Sequence, residues 1–218
     1  RQHGIDCLIL DRKSFPREKL CAGWITPEVL DELQIDPEAY PHSLTRFNRF
    51  RIHIFGKELK VNVRQYAIRR VEFDHWMLKR SGVPVDVHAV SNIEREGDSY
   101  VIDGRYSCRY LVGAGGTHCP VFRTFFKKEA PRFPEALITT LEEEFPYDYH
   151  DPDCWLWFLN NKLPGYSWYV PKRNGYVNIG TGGFLHKMKT NGQNIKHHWE
   201  LFITELERRG LVRDHVFA

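Results

Sequence analysis

The alternation of apolar and polar side chains predicts the first long elements of the chain. Over residues 50–63, apolar and polar positions alternate on both sides of Gly56, which is typical of an antiparallel β-hairpin. Over residues 70–81, the apolar positions instead recur at helical spacing, with Val71 and Leu78 on one stripe. This part of the chain therefore predicts a hairpin followed by an amphipathic helix.

The other predicted elements are two helices and a series of short strands. Thr26 followed by Pro27 predicts a helix over 27–33, and a capping box of Thr190 and Gln193 opens a final helix that ends at Gly210. Short apolar runs between turns predict strands over 5–10, 85–94, 99–103, 106–112, 137–145, 154–159, 166–170 and 176–180.

Two of these strands indicate a parallel sheet. The run 5–10 ends at Asp11, and 106–112 runs directly into the glycine loop Gly113–Gly116, as in dinucleotide-binding sheets. The second half of the chain is typical of an antiparallel sheet. We predict an α/β fold with one domain over 1–45 and 67–126, and an antiparallel-sheet domain with a C-terminal helix over 46–66 and 127–218.

The start of the chain indicates a larger protein. The chain begins Arg1-Gln2-His3-Gly4, without an initiator Met. In dinucleotide-binding folds, a strand, a glycine loop and a helix precede a strand like the one that ends at Asp11. Because they do not precede it here, we expect the chain to be a part of a longer protein.

Composition excludes several classes of protein. The 218 residues are 42% hydrophobic and 27% charged, with a net charge of +3, which fits a globular domain and argues against nucleic-acid binding. The sequence has no long uncharged apolar run, and with a mean hydropathy of -0.49 this predicts no transmembrane helix. The five cysteines form no CxxC pair and the 11 histidines show no ligand spacing, so we expect no metal site and a reducing, cytoplasmic location.

Four positions carry candidate chemistry, each with a plainer alternative. Asp11 can bind a ribose diol or be a solvated acid, and the loop 113–116 can approach a phosphate or be a tight turn. Arg69 and Arg70 can clamp a pyrophosphate or be a solvated pair at a helix start, where cations are mildly unfavourable. Cys21, close to Lys19, can be a reactive thiol or an inert small side chain.

Taken in order, these segments resemble a known family. Residues 8–30, Arg70–Asp74 (RVEFD) and 110–123 (YLVGAGGTHCPVFR) are followed by 166–171 (YSWYVP) and, after eight further residues, by 180–182 (GTG). They resemble the motifs of the geranylgeranyl reductase family, which uses FAD and has the p-hydroxybenzoate-hydroxylase-like fold. The resemblance implies that the first predicted domain is an incomplete FAD-binding domain and that the second binds substrate.

The resemblance also implies roles for individual residues. Asp11, with Arg12 close by, would hold the adenosine ribose, Arg70 the phosphate or ribityl region, and the backbone of Ala89 the adenine. The turn at the isoalloxazine ring would contain Cys21, the candidate catalytic residue, with Ala22 and Gly23. The remaining cofactor-binding positions are Gly113, Gly115 and Gly116, and the implied substrate-binding residues are Tyr166, Trp168, Pro171, Gly180 and Gly182.

The chain departs from the family motifs at four positions. Gly115 replaces an Asp, Cys119 a Ser, Trp24 a Gly, and Val170 an aromatic residue. The sequence also shows neither the N-terminal GxGxxG nor the later GDAAG segment of the family. We therefore expect the chain by itself to bind FAD poorly.

The sequence is compatible with three functions. The first is an FAD-dependent oxidoreductase that reduces C=C bonds of an isoprenoid or lipid, with NAD(P)H or ferredoxin as electron donor and a peripheral contact with the membrane. The second is a flavin monooxygenase or halogenase of the same fold, since fold alone does not fix chemistry. The third is a non-catalytic remnant that binds a lipid or a protein partner.

Overall fold

A computed structural model describes residues 4–217, which form two compact units. Unit 1 contains residues 4–17 and 75–133, and unit 2 contains 18–74 and 134–217. In chain order the elements are β1 (Ile9–Asp11), β2 (Trp24–Ile25), α1 (Pro27–Glu32), β3 (Leu44–Ile54), β4 (Lys57–Ile68), α2 (Arg70–Ser81), β5 (Val85–Val87), β6 (Ile93–Glu96), β7 (Ser99–Ile102), β8 (Tyr106–Cys108), β9 (Ile138–Pro146), β10 (Cys154–Phe158), β11 (Gly165–Lys172), β12 (Tyr176–Phe184), α3 (Leu185–Thr190) and α4 (Ile195–Arg208).

Unit 2 is built on a seven-stranded sheet in the order β2-β4-β3-β10-β11-β12-β9. Neighbouring strands are antiparallel except β3 and β10, which are parallel. The predicted hairpin is confirmed as β3–β4, whose turn residues Phe55 and Gly56 have φ values of 49° and 72°. Positive φ at both positions matches the twist of a tight two-residue hairpin turn.

The two faces of this sheet are covered differently. Because side chains alternate along a strand, Tyr169 and Ile179 lie on one face, in a core that also contains Phe202 and Leu206 of α4. Trp168 belongs to a second core cluster, together with Phe50, Leu156 and the partly buried Ala22. The Cys21–Gly23 segment and α4 therefore pack with different layers of side chains.

Unit 1 contains two small sheets. Strands β1 and β5 form a parallel pair, and β6, β7 and β8 form an antiparallel sheet. Their core contains Ile93, Ile102, Cys119 and Val121. Together the two units confirm the mixed α/β class.

Several predicted boundaries are wrong. The strand predicted over 106–112 ends at Cys108, and 109–115 is irregular, so no strand leads directly into the glycine loop. The strand predicted over 85–94 is divided into β5 and β6, because the polar residues of 88–92 form a loop bonded to Asp103. The local pattern of apolar residues does not reveal such a loop.

The predicted capping box is also wrong. The N-cap of α4 is Asn194, whose Oδ1 accepts the backbone N–H of His197 at 3.0 Å. Thr190 instead ends α3 and donates its hydroxyl proton to the carbonyl oxygens of His186 and Lys187. The predicted helices over 27–33 and 70–81 are confirmed as α1 and α2.

The compact units and the predicted domains have different limits. Residues 18–45 and 67–74 belong to unit 2, because β2, α1, β4 and their neighbours are built onto the large sheet. The assignment of an FAD-binding domain and a substrate-binding domain stays a prediction. No helix within residues 4–217 is long and apolar enough to cross a membrane.

Candidate functional site

One face of the sheet in unit 2 combines aromatic side chains with bare glycines. In the register of β11 and β12, Trp168 lies opposite Gly180, and Tyr166 lies opposite Gly182. The ring of Trp168 covers Gly180 so closely that a Cβ there would come within 2.1 Å of Cζ2. We call Tyr166, Trp168, Gly180 and Gly182 the glycine–aromatic face.

Four of the five predicted substrate-binding residues form this face, but Pro171 does not. Pro171 is buried and pairs with Val177, which belongs to the core cluster beside α4. Pro171 lies three positions after Trp168, and because side chains alternate along a strand, this odd offset points the two side chains to opposite faces. Its role in substrate binding stays a prediction that this placement does not favour.

A hydrogen-bond network joins Trp168 to the Cys21 turn. The indole Nε1 of Trp168 donates to Asn178 Oδ1 at 2.8 Å, and Asn178 Nδ2 donates to the carbonyl oxygen of Cys21 at 3.5 Å. Glu142, on the neighbouring strand β9, accepts from Asn178 and from the backbone N–H of Cys21. Burial raises the pKa of Glu142, although these hydrogen bonds and Lys172 act in the opposite direction.

The Cys21–Gly23 turn needs glycine at its last position. Gly23 has a φ of +68°, and a Cβ there would lie 2.1 Å from the carbonyl oxygen of Ile68 and 2.5 Å from Lys172 Nζ. Within the turn, Cys21 Sγ accepts the backbone N–H of Gly23 at 3.4 Å. Ala22 and Gly23 therefore present backbone rather than long side chains.

Arg70 is held at the start of α2 by its own chain. Its Nε and Nη2 each donate to Asp74 at 2.7 Å, in a bidentate pair, and its side chain also bonds to Cys21. The hydrogen bond to Asp74 is the main reason that the pKa of Arg70 is raised. Its neighbour Arg69 pairs with Glu144 at 2.8 Å. The anionic partners of both arginines thus come from the protein, and contact with a cofactor phosphate stays a prediction.

In unit 1, Asp11 lies at the end of β1 as an ionised hydrogen-bond acceptor. Its oxygens accept from the backbone N–H of Lys13 at 2.9 Å and from Arg17 Nη2 at 2.8 Å. Burial by itself raises the pKa of Asp11, but these bonds and the charges of Arg17 and the exposed Arg12 bring it below its ordinary value. Ala89 is exposed and lies two residues after β5. The backbone N–H of His88, between them, donates to the carbonyl oxygen of Asp11.

The glycine loop of unit 1 borders an open cavity of about 570 Å³. A Cβ at Gly113 would meet Val121 Cβ at 2.8 Å, and one at Gly115 would meet Cys119 Cα at 3.0 Å. Gly116 has a φ of +68°. The cavity lining also includes Phe126 and Arg132, which donates to the carbonyl oxygens of Gly116 and Thr117.

The chain offers residues that suit an FAD cofactor in each unit taken separately. In unit 1, the packing of Val121 and Cys119 against the loop 113–116 leaves no room for a Cβ at Gly113 or Gly115, and Asp11 is an ionised acceptor of the kind that binds a ribose diol. In unit 2, Ala22 and Gly23 have no long side chain that would block a flat ring at the Cys21–Gly23 turn. Contact of these residues with FAD stays a prediction.

Three residues of this site were not predicted from the sequence: Glu142, Lys172 and Asn178. Lys172 follows the aromatic motif directly and lies four residues after Trp168, so strand alternation places it on the same face. That spacing was a usable signal. Glu142 lies within Leu141-Glu142-Glu143-Glu144-Phe145, where nothing in the sequence shows which carboxylate points inward.

No family model matches the chain, but individual proteins do. The chain is 29% identical over 198 residues to digeranylgeranylglycerophospholipid reductase 1 of Methanopyrus kandleri, covering 82% of this chain and 52% of that protein. It is 28% identical over 205 residues to the menaquinone reductase of Mycobacterium tuberculosis, covering 82% and 49%. The chain thus spans about half the length of the curated relatives it matches.

Solved structures share its fold. A geranylgeranyl bacteriochlorophyll reductase-like protein from Thermoplasma acidophilum aligns with a TM-score of 0.68 at 16% identity, over 94% of this chain and 56% of that one. PqsL, a probable FAD-dependent monooxygenase from Pseudomonas aeruginosa, aligns with a TM-score of 0.63 at 12% identity, over 87% and 57%. The chain therefore has the fold of FAD-dependent oxidoreductases. The resemblance to geranylgeranyl reductases is confirmed as well, since relatives of the chain include a digeranylgeranylglycerophospholipid reductase and a menaquinone reductase.

Proposed function

We propose that this chain is part of the FAD- and substrate-binding region of an oxidoreductase that reduces C=C bonds of an isoprenoid or lipid substrate. The observation that carries the proposal is the glycine–aromatic face, bonded through Asn178 to Glu142 and to the Cys21 turn. The names of the relatives support reduction as the reaction class.

The face suits a long apolar substrate. Tyr166 is 41% exposed and stacks on Phe158 with ring centroids 5.4 Å apart. Flat aromatic surfaces next to bare glycines offer apolar contact along a narrow chain, and they exclude water from it. Tyr166 would contact such a chain directly, and Trp168, whose buried ring covers Gly180, would form the layer beneath it with Gly180 and Gly182.

Bound FAD would supply the hydride for alkene reduction. Asp11 and the loop Gly113–Gly116 would hold the ribose and phosphate groups in unit 1. In unit 2, Cys21–Gly23 would lie at the ring, with Cys21 as the candidate catalytic residue and Arg70 oriented by Asp74. Glu142, which accepts the backbone N–H of Cys21, would help to fix the position of this turn.

The electron donor, location and membrane contact are part of the same proposal. We infer that NAD(P)H or ferredoxin reduces the flavin in the cytoplasm and that a lipid substrate brings the protein to the membrane surface. All five cysteines are free, which is consistent with a reducing compartment.

The test uses the longest protein that the coding sequence encodes. Its visible absorbance should show bound flavin, and anaerobic incubation with a reductant and a polyprenyl lipid should give products heavier by two hydrogens per reduced bond. The Tyr166→Ala variant should raise KM for that lipid at least fivefold, whereas Phe133→Ala, which removes a ring 69% exposed in unit 1, should not. Absence of flavin would overturn the proposal in favour of a binding remnant.

A second candidate is a flavin monooxygenase or halogenase, which the structural similarity to PqsL favours. It would consume oxygen when NAD(P)H is supplied with an aromatic substrate. Oxygen uptake coupled to hydroxylation or halogenation, without alkene reduction, would establish this candidate instead.

A further inference from the structure

Lys172 is a lysine with a fully buried side chain at the end of β11. Its Nζ donates to the carbonyl oxygen of Ala22 and, at 2.6 Å, to that of Ile68. Lysine is among the residues least often found fully buried without partners, because its charge is strongly hydrated. Here two backbone carbonyls replace that water.

The two carbonyls belong to segments that are far apart in the sequence. Ala22 lies in the Cys21–Gly23 turn, and Ile68 is the last residue of β4. The same segments are joined once more, because the backbone N–H of Ile68 donates to the carbonyl oxygen of Gly23 at 2.9 Å. Lys172 therefore completes a junction between the turn and the sheet.

The space around Nζ is filled. A Cβ at Gly23 would lie 2.5 Å from Nζ, so this glycine and this lysine are fitted to each other. Glu144 Oε2 lies 3.8 Å from Nζ and is itself held by Arg69. The other charged or titratable groups near the ammonium are Glu142, Cys21 and Cys154.

We propose that Lys172 is a positioning residue, which holds the backbone of Cys21–Gly23 against the end of β4 and so fixes the shape of the turn. Without Nζ, the carbonyls of Ala22 and Ile68 would lose their buried donor, and opening of the turn would be the way to regain hydrogen bonds from water. The importance of the turn for catalysis rests on the proposed function, but its dependence on Lys172 does not.

The test measures the rate at which iodoacetamide alkylates each cysteine of the folded chain, resolved by peptide mass spectrometry, with no cofactor added. In Lys172→Met, which keeps the apolar stem, the rate at Cys21 should rise at least fivefold. The rate at Cys154, which is 1% exposed on β10, should not change. Lys162→Met, at an exposed turn of the same unit, is the matched control and should leave Cys21 unchanged.

If Lys172→Met unfolds, Cys154 will be alkylated as fast as Cys21. A second variant covers that case. Glu144→Gln removes the charge beside Nζ without opening a cavity, and it should raise the rate at Cys21 about twofold. A folded Lys172→Met protein with an unchanged rate at Cys21 would overturn the proposal. If Lys172→Met unfolds, an unchanged alkylation rate at Cys21 in Glu144→Gln would overturn the proposal instead. Neither result depends on flavin, so failure of the proposed function would be recognised separately by visible absorbance.

Discussion

The indole ring of Trp168 occupies the space that a side chain at residue 180 would need. Trp168 is 5% exposed, and its Cζ2 lies 2.1 Å from the position of a Cβ on Gly180. The ring is also fixed by its hydrogen bond to Asn178. The glycine is therefore required by the tryptophan opposite it, since β11 and β12 pair in continuous register at this point.

Gly180→Ala should destabilise the protein by about 2 kcal/mol, because overpacking of a filled core typically costs this much. The measurement is urea unfolding followed by tryptophan fluorescence. Gly182→Ala is the control on the same face, where the nearest atom is Cγ2 of the exposed Thr140 at 2.8 Å, and that side chain can turn away. Equal losses of stability in both variants would contradict this account.

Glu142→Gln should change how stability depends on pH. Burial raises the pKa of Glu142 in the folded state above 4.5, so the folded chain holds this proton over a range in which the unfolded chain has lost it. The wild type therefore loses stability as the pH rises through this range, and Gln, which does not titrate, is spared that loss. Urea unfolding at pH 4 and pH 7 should show the variant gaining relative to the wild type at pH 7. A difference independent of pH would refute this.

Lys172 should produce the opposite trend at alkaline pH. Burial lowers the pKa of Lys172 from 10.5 to about 8. Below about pH 8, both the folded and the unfolded chain bind the proton. Between 8 and 10.5, the unfolded chain alone keeps it, so the folded state gains stability as the pH rises. The difference in unfolding free energy between wild type and Lys172→Met should therefore grow in this window, and a flat difference would exclude the shift.

Asn194→Ala should cost about 1 kcal/mol, because it removes the side-chain acceptor for a backbone N–H at the start of α4. Thr190→Ala removes a hydroxyl that bonds to carbonyl oxygens at the end of α3, and its cost should be smaller. Thermal unfolding of the two variants decides which residue caps the last helix. A larger loss of stability for Thr190→Ala would contradict this assignment and support the capping box predicted from the sequence.

The sequence predicted the elements that local spacing defines. The hairpin around Gly56 and the helix that begins at Arg70 follow from periodicity alone, and both are present. The parallel pairing of β3 with β10 could not be predicted, because no local pattern indicates which distant strand lies alongside. The order of the strands in the large sheet depends on that pairing.

The residues of the candidate site also divide into those that a local pattern predicts and those that it does not. Tyr166 and Trp168 were predicted from their motif and do share a face, but Pro171 was grouped with them because motifs ignore strand alternation. Lys172 was missed, since a lysine at the end of a strand is ordinarily exposed. Its burial follows from two carbonyls that only the tertiary structure brings together.

The β3–β10 pairing also has a consequence for the order of synthesis. Arg49 and Asp153, which are bonded at 2.8 Å, lie 104 positions apart along the chain. During translation, one edge of the 11-residue strand β3 has no partner until Cys154–Phe158 has left the ribosome. Unpaired strand edges promote aggregation. The nascent chain thus passes through a long interval with an unpaired strand edge, and fragments that end before Cys154 should be poorly soluble.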